Sequence, residues 1–177
     1  MTVHVFVDES RRGSTYLLAA VLIPPTQLTS VRVLMRKMCL PGERRVHFQA
    51  EQDSRRRLII GRLVEAGLQG RIYLGAGRPD RVRAACLTAL VEDIVKANAY
   101  RLVVESRDAA GDRLDRAVIH RALANAGTAP LAYEHLRGHE DPNLAVADAI
   151  GWAFGAGGDW RRRVHPAIDQ VTDLGRV

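Results

Sequence analysis

The sequence predicts a mixed α/β domain, in which helices cover a sheet that begins as a hairpin. Two short apolar runs, Val3–Val7 and Thr15–Ile23, are separated only by a tight connection with Gly13, which is typical of an antiparallel pair. Later runs of strand length alternate with segments of helical period, which is typical of crossover connections between strands. Together these observations favour a mixed sheet with an antiparallel start.

The first half of the chain is divided by proline and glycine. Pro24 and Pro25 end the second strand, because proline cannot donate to the ladder. Apolar residues at helical spacing then predict a helix over Pro25–Met38 and another over Glu51–Ala66, with a short extended piece, Arg45–Phe48, between them.

The second half alternates regularly. Strands are predicted at Gly70–Leu74, Tyr100–Val104 and Pro130–His135, and the intervening amphipathic segments predict helices at Pro79–Ala97 and Arg113–Ala126. The sheet is therefore expected to have five strands.

The last helix is expected to begin at Asp141–Pro142 and to run to Phe154, because an aspartate cap followed by proline is a common helix start. A glycine-rich stop follows. We therefore expect one domain over residues 1–158 and a basic C-terminal tail over 159–177 that is not a separate domain. The tail and the stop before it are compatible with a homodimer contact.

Composition is that of an ordinary globular protein: 177 residues, 47% hydrophobic and 26% charged. There is no apolar stretch of 18 residues and no basic start followed by an apolar run, so neither a membrane span nor a signal peptide is expected. Cys39 and Cys86 lie far apart, which favours buried thiols and a cytoplasmic protein.

The net charge is +6, and 24 of the 26 basic residues are arginine. Two explanations stay open. Codon bias in a GC-rich genome enriches arginine, and so does a phosphate-bearing partner, since guanidinium groups make forked contacts to phosphate. Nucleic acid is thus a candidate partner, and a membrane is not.

Three acids stand at positions that favour metal binding. Asp8 ends the first strand, Glu105 ends the fourth, and Asp148 lies within an otherwise apolar helix. If the two strands are parallel neighbours, their ends lie about 5 Å apart and a crossing helix adds the third carboxylate. Three close carboxylates repel, and Mg²⁺ or Mn²⁺ relieves the repulsion. Two such ions can clamp a phosphodiester and activate water.

Each acid also has a structural explanation. Asp8 suits a turn start, and Glu105 suits a surface ion pair. Asp148 would be tolerated on a partly exposed helix face or beside an arginine that pairs with it. The convergence of all three at one sheet edge is what favours the metal site.

The chain also resembles a bacterial family called domain of unknown function 3800, which is regarded as ribonuclease H-like. The resemblance rests on Asp8-Glu9-Ser10 after the first strand, on His47-Phe48, and on the segment from Leu144 to Asp148 in the last helix. It implies a ribonuclease H-like fold in which Asp8, Glu105 and Asp148 bind the catalytic metals. Two departures stand out: Arg11 replaces the family's usual glycine, and Ala145 replaces its usual glutamine.

Other acids are weaker candidates for the same site. Glu9 is expected to face away from Asp8, because neighbouring side chains in a strand alternate. Asp108, Asp112 and Asp115 follow Glu105, and one of them is a candidate for a fourth carboxylate, although Asp112 also suits a helix cap.

Basic side chains complete the set of candidates. His139, with His135 as a second choice, is expected beside the site, where a histidine can pass a proton to a leaving oxygen; an exposed loop histidine is the alternative. Arg11, Arg12 and His47 are candidate nucleic-acid contacts, and a structural role is the alternative for His47.

These patterns favour a metal-dependent phosphodiester hydrolase, that is, a nuclease. Two alternatives stay open. One is a non-catalytic nucleic-acid-binding or assembly module with the same fold, and the other is a small-molecule phosphohydrolase that uses the same acids.

Overall fold

The apolar run at the start of the chain forms the middle of the sheet. We analysed a computed structural model that describes residues 2–127 and 131–177. Its strands are β1 (Val3–Arg12), β2 (Thr15–Ile23), β3 (Gln69–Ala76), β4 (Ala99–Glu105), β5 (Ala132–Leu136) and β6 (Ile168–Arg176). Its helices are α1 (Leu28–Met38), α2 (Asp53–Glu65), α3 (Pro79–Lys96), α4 (Ala109–Ala126), α5 (Leu144–Ala156) and α6 (Gly158–Val164).

The sheet is mixed, as predicted, with the strand order β5-β4-β1-β2-β3-β6. β2 is antiparallel to both β1 and β3, which confirms the hairpin at the start of the chain. β4 is parallel to β1 and to β5, and β6 is parallel to β3. The first and fourth strands are therefore parallel neighbours.

β1 is longer than the apolar run predicts. It continues past Val7 to Arg12 and pairs with β2 until Arg12 faces Thr15. Gly13 has φ +58°, which lets the chain reverse tightly. Asp8 therefore lies within a paired strand rather than in a turn.

The prediction of five strands was wrong, because the sheet of the described residues has six. The chain after residue 158 forms α6 and a sixth strand, which pairs with β3 along the edge of the sheet. Half-buried and exposed residues alternate along β6. Of its four half-buried residues, Ile168 and Leu174 are apolar, whereas Gln170 and Thr172 are polar. The alternation was thus too polar to be recognised as a strand.

Several boundaries shift for local reasons. α4 begins at Ala109, four residues earlier than predicted, because the Asp108 carboxylate caps it by accepting a hydrogen bond from Gly111 N at 2.7 Å. The expected extended piece instead leads into a short 3₁₀ turn, Phe48–Ala50. The fifth strand is confirmed from Ala132, and its predicted start at residue 130 lies outside the described residues.

Helices cover both faces of the sheet, as predicted, and each face has its own core. One face, here called the α5 face, packs against α1, α2, α5 and α6. The opposite face, the α3 face, packs against α3 and α4. Within the described ranges, no helix has the length and apolar character needed to cross a membrane.

We expect deletion of residues 168–177 to lower the melting temperature by about 10 °C or more, or to prevent soluble expression. The deletion exposes the paired edge of β3, and unpaired edges favour aggregation. A control variant, Arg162→Gln/Arg163→Gln, changes the charge of α6 without removing β6 and should melt like the wild type. Thermal unfolding and size-exclusion chromatography measure both, and an unchanged melting temperature after the deletion would contradict this assignment of β6.

Candidate metal centre

Two carboxylates lie side by side because β1 and β4 are parallel. The register pairs Val7 with Val104, and the next residue along each strand is Asp8 and Glu105, respectively. Alternation then places both carboxylates on the α5 face.

Asp148 approaches the same place from α5, which packs closely on β1. It is the single charged residue of that helix and is half-buried among buried apolar neighbours. Its Oδ2 accepts a hydrogen bond from the backbone N of Phe48 at 3.1 Å. The turn that begins at Phe48 thus holds the third carboxylate in position.

The charges of the three acids act on one another. Burial raises the pKa of Asp8 well above its usual value, and the charges of Glu105 and Asp148 raise it further. The backbone N of Glu9, 2.7 Å from Asp8 Oδ1, acts in the opposite direction. Burial also raises the pKa of Asp148. The cluster is therefore short of positive charge.

One arginine supplies part of that charge. Arg45 Nη1 donates to Glu105 Oε1 at 2.6 Å, while Glu105 Oε2 is buried without a hydrogen-bond partner among the described residues. The path of Arg45 runs over Gly138, where any Cβ would overlap the guanidinium group. Glycine at this position is what allows Arg45 to reach the acids.

The donor chemistry of the three acids fits a hard divalent cation, although their donor atoms do not all lie within 4.8 Å of one another. All the side-chain donors of Asp8, Glu105 and Asp148 are carboxylate oxygens, which Mg²⁺ and Mn²⁺ prefer. The unpartnered Oε2 of Glu105 is one such donor already desolvated. A cleft of about 150 Å³ at the ends of β1 and β4 borders Asp8 and Glu105, and it extends toward the α3 face, where Glu9 and Arg83 line it.

Glu9 lies on the α3 face, as its alternation with Asp8 predicts. Its Oε2 accepts hydrogen bonds from Tyr16 Oη at 2.6 Å and from Arg83 Nη1 at 2.5 Å. Arg83, only 3% exposed, also binds Asp115 through two hydrogen bonds of 2.8 and 2.6 Å. Asp115 thus belongs to a buried ion-pair network on the opposite side of the sheet from Asp8.

His135 belongs to this network too, which corrects the expectation that it lies beside the three acids. Its Nε2 is 3.3 Å from Asp115 Oδ2. Asp112, Asp115 and His135 together offer donor atoms within 4.8 Å of one another, a spacing that suits a metal. However, Asp112 already accepts from Ser106 Oγ and from the backbone N of Arg107, so the carboxylates of this group are satisfied without an ion.

The remaining sequence candidates lie nearer the acids. His47 is exposed, and its proximity acts to lower the pKa of Asp148, against the larger effect of burial. His139 is half-buried in the turn between β5 and α5, directly after Gly138. Arg11 and Arg12 are exposed at the end of β1. Their roles stay predictions, as does that of Asp108, which caps α4.

The two departures from the resemblance occupy different surroundings. Arg11 lies over the ring of Tyr16, with its guanidinium carbon 5.5 Å from the centroid. Ala145 is buried and lines a cavity of about 190 Å³, which Arg45 also borders. Neither departure removes a carboxylate.

Sequence reasoning missed Arg45 and Arg83. Both stand among 24 arginines, and nothing in the local pattern separates them from surface arginines. The position of Arg83 on the buried side of α3, one turn before Leu87, is the one signal that pointed to an internal partner.

Comparison with known proteins supports the fold. No protein-family model matches the chain, and no curated protein sequence matches it. Among solved structures, it is similar to one described as the complex of PCNA with RNase HII from Archaeoglobus fulgidus, with a TM-score of 0.53 and 15% identity, over 86% of this chain and 70% of that one. The likeness shows that the two structures share a similar fold.

We expect Asp8→Asn to stabilise the metal-free protein at pH 7, raising its melting temperature by several degrees; for a chain of this size, ~1 kcal/mol corresponds to ~2–4 °C. Because the folded state raises the pKa of Asp8, ionisation above pH ~4 favours the unfolded chain. The difference from the wild type should therefore vanish as pH falls below ~4. Melting curves in EDTA measure this, with the exposed Glu92→Gln as control; equal stability at pH 7 would count against the repulsion.

Arg83→Met should destabilise the protein by about 3 kcal/mol at pH 7, because it removes the cation that binds Asp115 and Glu9 most closely and leaves, among the described arginines, only Arg107, 3.5 Å from Asp115, and Arg11, 3.9 Å from Glu9. Burial opposes ionisation of Asp115, but hydrogen bonds from Arg83 and His135 hold its pKa below the usual value. That contribution is present above pH ~4 and is lost as pH falls, so the gap between variant and wild type should narrow in acid. Urea unfolding at pH 7 and at pH ~2 measures the gap, since the contribution is lost only as pH falls toward the lowered pKa of Asp115; a loss under ~1 kcal/mol at pH 7 would show that the network is dispensable.

Proposed function

We propose that this chain is a divalent-metal-dependent hydrolase of phosphodiesters in nucleic acid. The observation that carries the proposal is the convergence of Asp8, Glu105 and Asp148 on one face of the sheet, where burial and the charges of the other two acids raise the pKa of Asp8. A buried group of like charges is costly unless a cation accompanies it.

The fold supports the same interpretation. RNase HII, the protein named in the similar structure, is a ribonuclease, and the resemblance to the domain of unknown function 3800 family implies acids at these three positions. The net charge of +6 favours a polyanionic substrate.

Asp8, Glu105 and Asp148 would hold the divalent cations, of which we propose two. Bound there, divalent cations supply Lewis-acid activation of water and neutralise charge on the phosphate. The protein's own contribution is to fix the ligands: Phe48 N orients Asp148, and Glu9 N orients Asp8.

Two basic side chains complete the proposed chemistry. Arg45, which pairs with Glu105 here, is close enough to the acids to exchange that carboxylate for a substrate phosphate. His139 is our candidate proton donor to the leaving oxygen, because its turn adjoins Gly138 and therefore the Arg45–Glu105 pair.

The test is cleavage of labelled RNA, DNA and RNA–DNA hybrid oligonucleotides with Mg²⁺ or Mn²⁺. We expect Asp8→Asn and Asp148→Asn each to lower the rate by about 10³-fold or more, since each removes a ligand on which transition-state stabilisation depends. Glu92→Gln, which alters an exposed acid on α3, should cleave at the wild-type rate.

Calorimetric titration with Mn²⁺ separates the possible outcomes. Two ions per wild-type chain, and fewer in Asp8→Asn, support the site. Nucleic-acid binding without Mn²⁺ binding would indicate a non-catalytic module, and hydrolysis of nucleotides but of no oligonucleotide would indicate a small-molecule phosphohydrolase. Cleavage that survives both substitutions contradicts the proposal.

A further inference from the structure

Arginine and tryptophan side chains alternate on the α5 face, directly beyond Asp148. The Arg12 and Arg56 guanidinium groups lie over the ring of Trp152, 5.0 and 4.3 Å from its centroid. Arg57 lies over the ring of Trp160 at 5.6 Å, and the two indoles meet edge to face at 5.7 Å. We call these five residues the arginine–indole patch.

The patch begins at the proposed metal site and leads away from it. Trp152 follows Asp148 by four residues in α5, so it lies on the same side of the helix, about 6 Å further along. Arg12 follows Asp8 by four residues in β1, which places it on the same face of the sheet, about 13 Å further along. Because α5 holds Asp148 and Trp152 and β1 holds Asp8 and Arg12, these two elements fix the position of the patch relative to the acids.

Two of the three arginines are free to bind an anion. Arg12 and Arg57 are exposed, and neither forms an ion pair with any acid in the described part of the chain. Arg56 differs, since it donates to the backbone oxygens of Phe48 and Gln49 and pairs with Asp53. Arg56 is thus a structural member of the patch.

The indoles hold the guanidinium groups rather than offering a surface to bases. Two guanidinium groups lie over the Trp152 ring, and Phe48 packs against it with the ring planes inclined at 61°. A base would have to displace an arginine in order to stack there. A guanidinium group resting on a ring keeps its N–H groups available in a restricted orientation, which suits a phosphate oxygen.

We propose that Arg12 and Arg57 bind backbone phosphates of the substrate strand, on the Asp148 side of the scissile phosphate. At the ~3.4 Å rise per nucleotide of a helical strand, the ~13 Å offset of Arg12 along β1 corresponds to about four nucleotides from the acids. This inference rests on the proposed function, because it takes the acids as the point of cleavage. Contact through phosphates makes the binding independent of base sequence.

The experiment measures binding of a fluorescein-labelled 20-mer, as RNA–DNA hybrid and as single strands, by anisotropy in EDTA over a range of NaCl concentrations. We expect Arg12→Gln/Arg57→Gln to reduce the slope of log K against log salt by about 2 and to weaken binding about tenfold or more, by a similar factor for oligonucleotides of different sequence. Both side chains are exposed, so the fold should be retained, and a melting curve checks this.

The matched control is Arg116→Gln/Arg121→Gln, which removes the same charge from exposed positions of α4, on the opposite side of the sheet. A slope reduced equally by the control, or unchanged in the patch variant, overturns the proposal, and so does an absence of binding by the wild type. Binding is measured without metal, so the result does not depend on cleavage. If the patch variant has the reduced salt slope but the wild type hydrolyses no nucleic acid, the proposed function is contradicted and the patch remains supported as a nucleic-acid-binding surface.

Discussion

The parallel pairing of β1 with β4 is the constraint on which the candidate site depends. It places the backbones of two acidic residues side by side at the spacing of adjacent strands, about 5 Å, with both side chains on one face. Two unit charges at such a separation, at an effective dielectric constant near 20, would repel by ~3 kcal/mol. The contacts around them act against this repulsion: a backbone N–H at Asp8, a backbone N–H at Asp148 and a guanidinium group at Glu105.

The close approach of α5 brings in the third acid. Gly151 faces β2 so tightly that a Cβ there would lie 3.0 Å from the Cβ of Ala19. Alanines at 145, 147, 149 and 153 are buried along the same helix. Small residues let the helix axis lie near the sheet, and a short side chain such as Asp148 can then reach the strand ends. The small apolar residues of α5 therefore explain how its one charged residue, Asp148, comes close to Asp8 and Glu105.

The features that the sequence predicted are those that depend on local pattern. Apolar runs located β1 to β4, and the rule that neighbouring side chains alternate correctly assigned Asp8 and Glu9 to opposite faces of the sheet. The sixth strand was missed because an edge strand can carry polar residues such as Gln170 at half-buried positions. Which arginine pairs with which acid was also beyond prediction, since the pair Arg45–Glu105 joins residues 60 positions apart. His135 was misplaced because the face of a short strand depends on its register with β4.

The arrangement of Asp8 and Glu9 on consecutive positions couples the two cores of the domain. Asp8 faces the three-acid cluster, and Glu9 is fixed by Tyr16 and Arg83 in the network beneath the sheet. Because Tyr16 and Arg83 fix the side chain of Glu9, the backbone that joins Glu9 to Asp8 cannot rotate freely. Substitutions on α3 and α4, well away from any substrate, therefore have a direct mechanical route to the geometry of the acids. The alignment of the carboxylates on the α5 face therefore depends in part on Tyr16, Arg83 and Asp115, which lie on the α3 face.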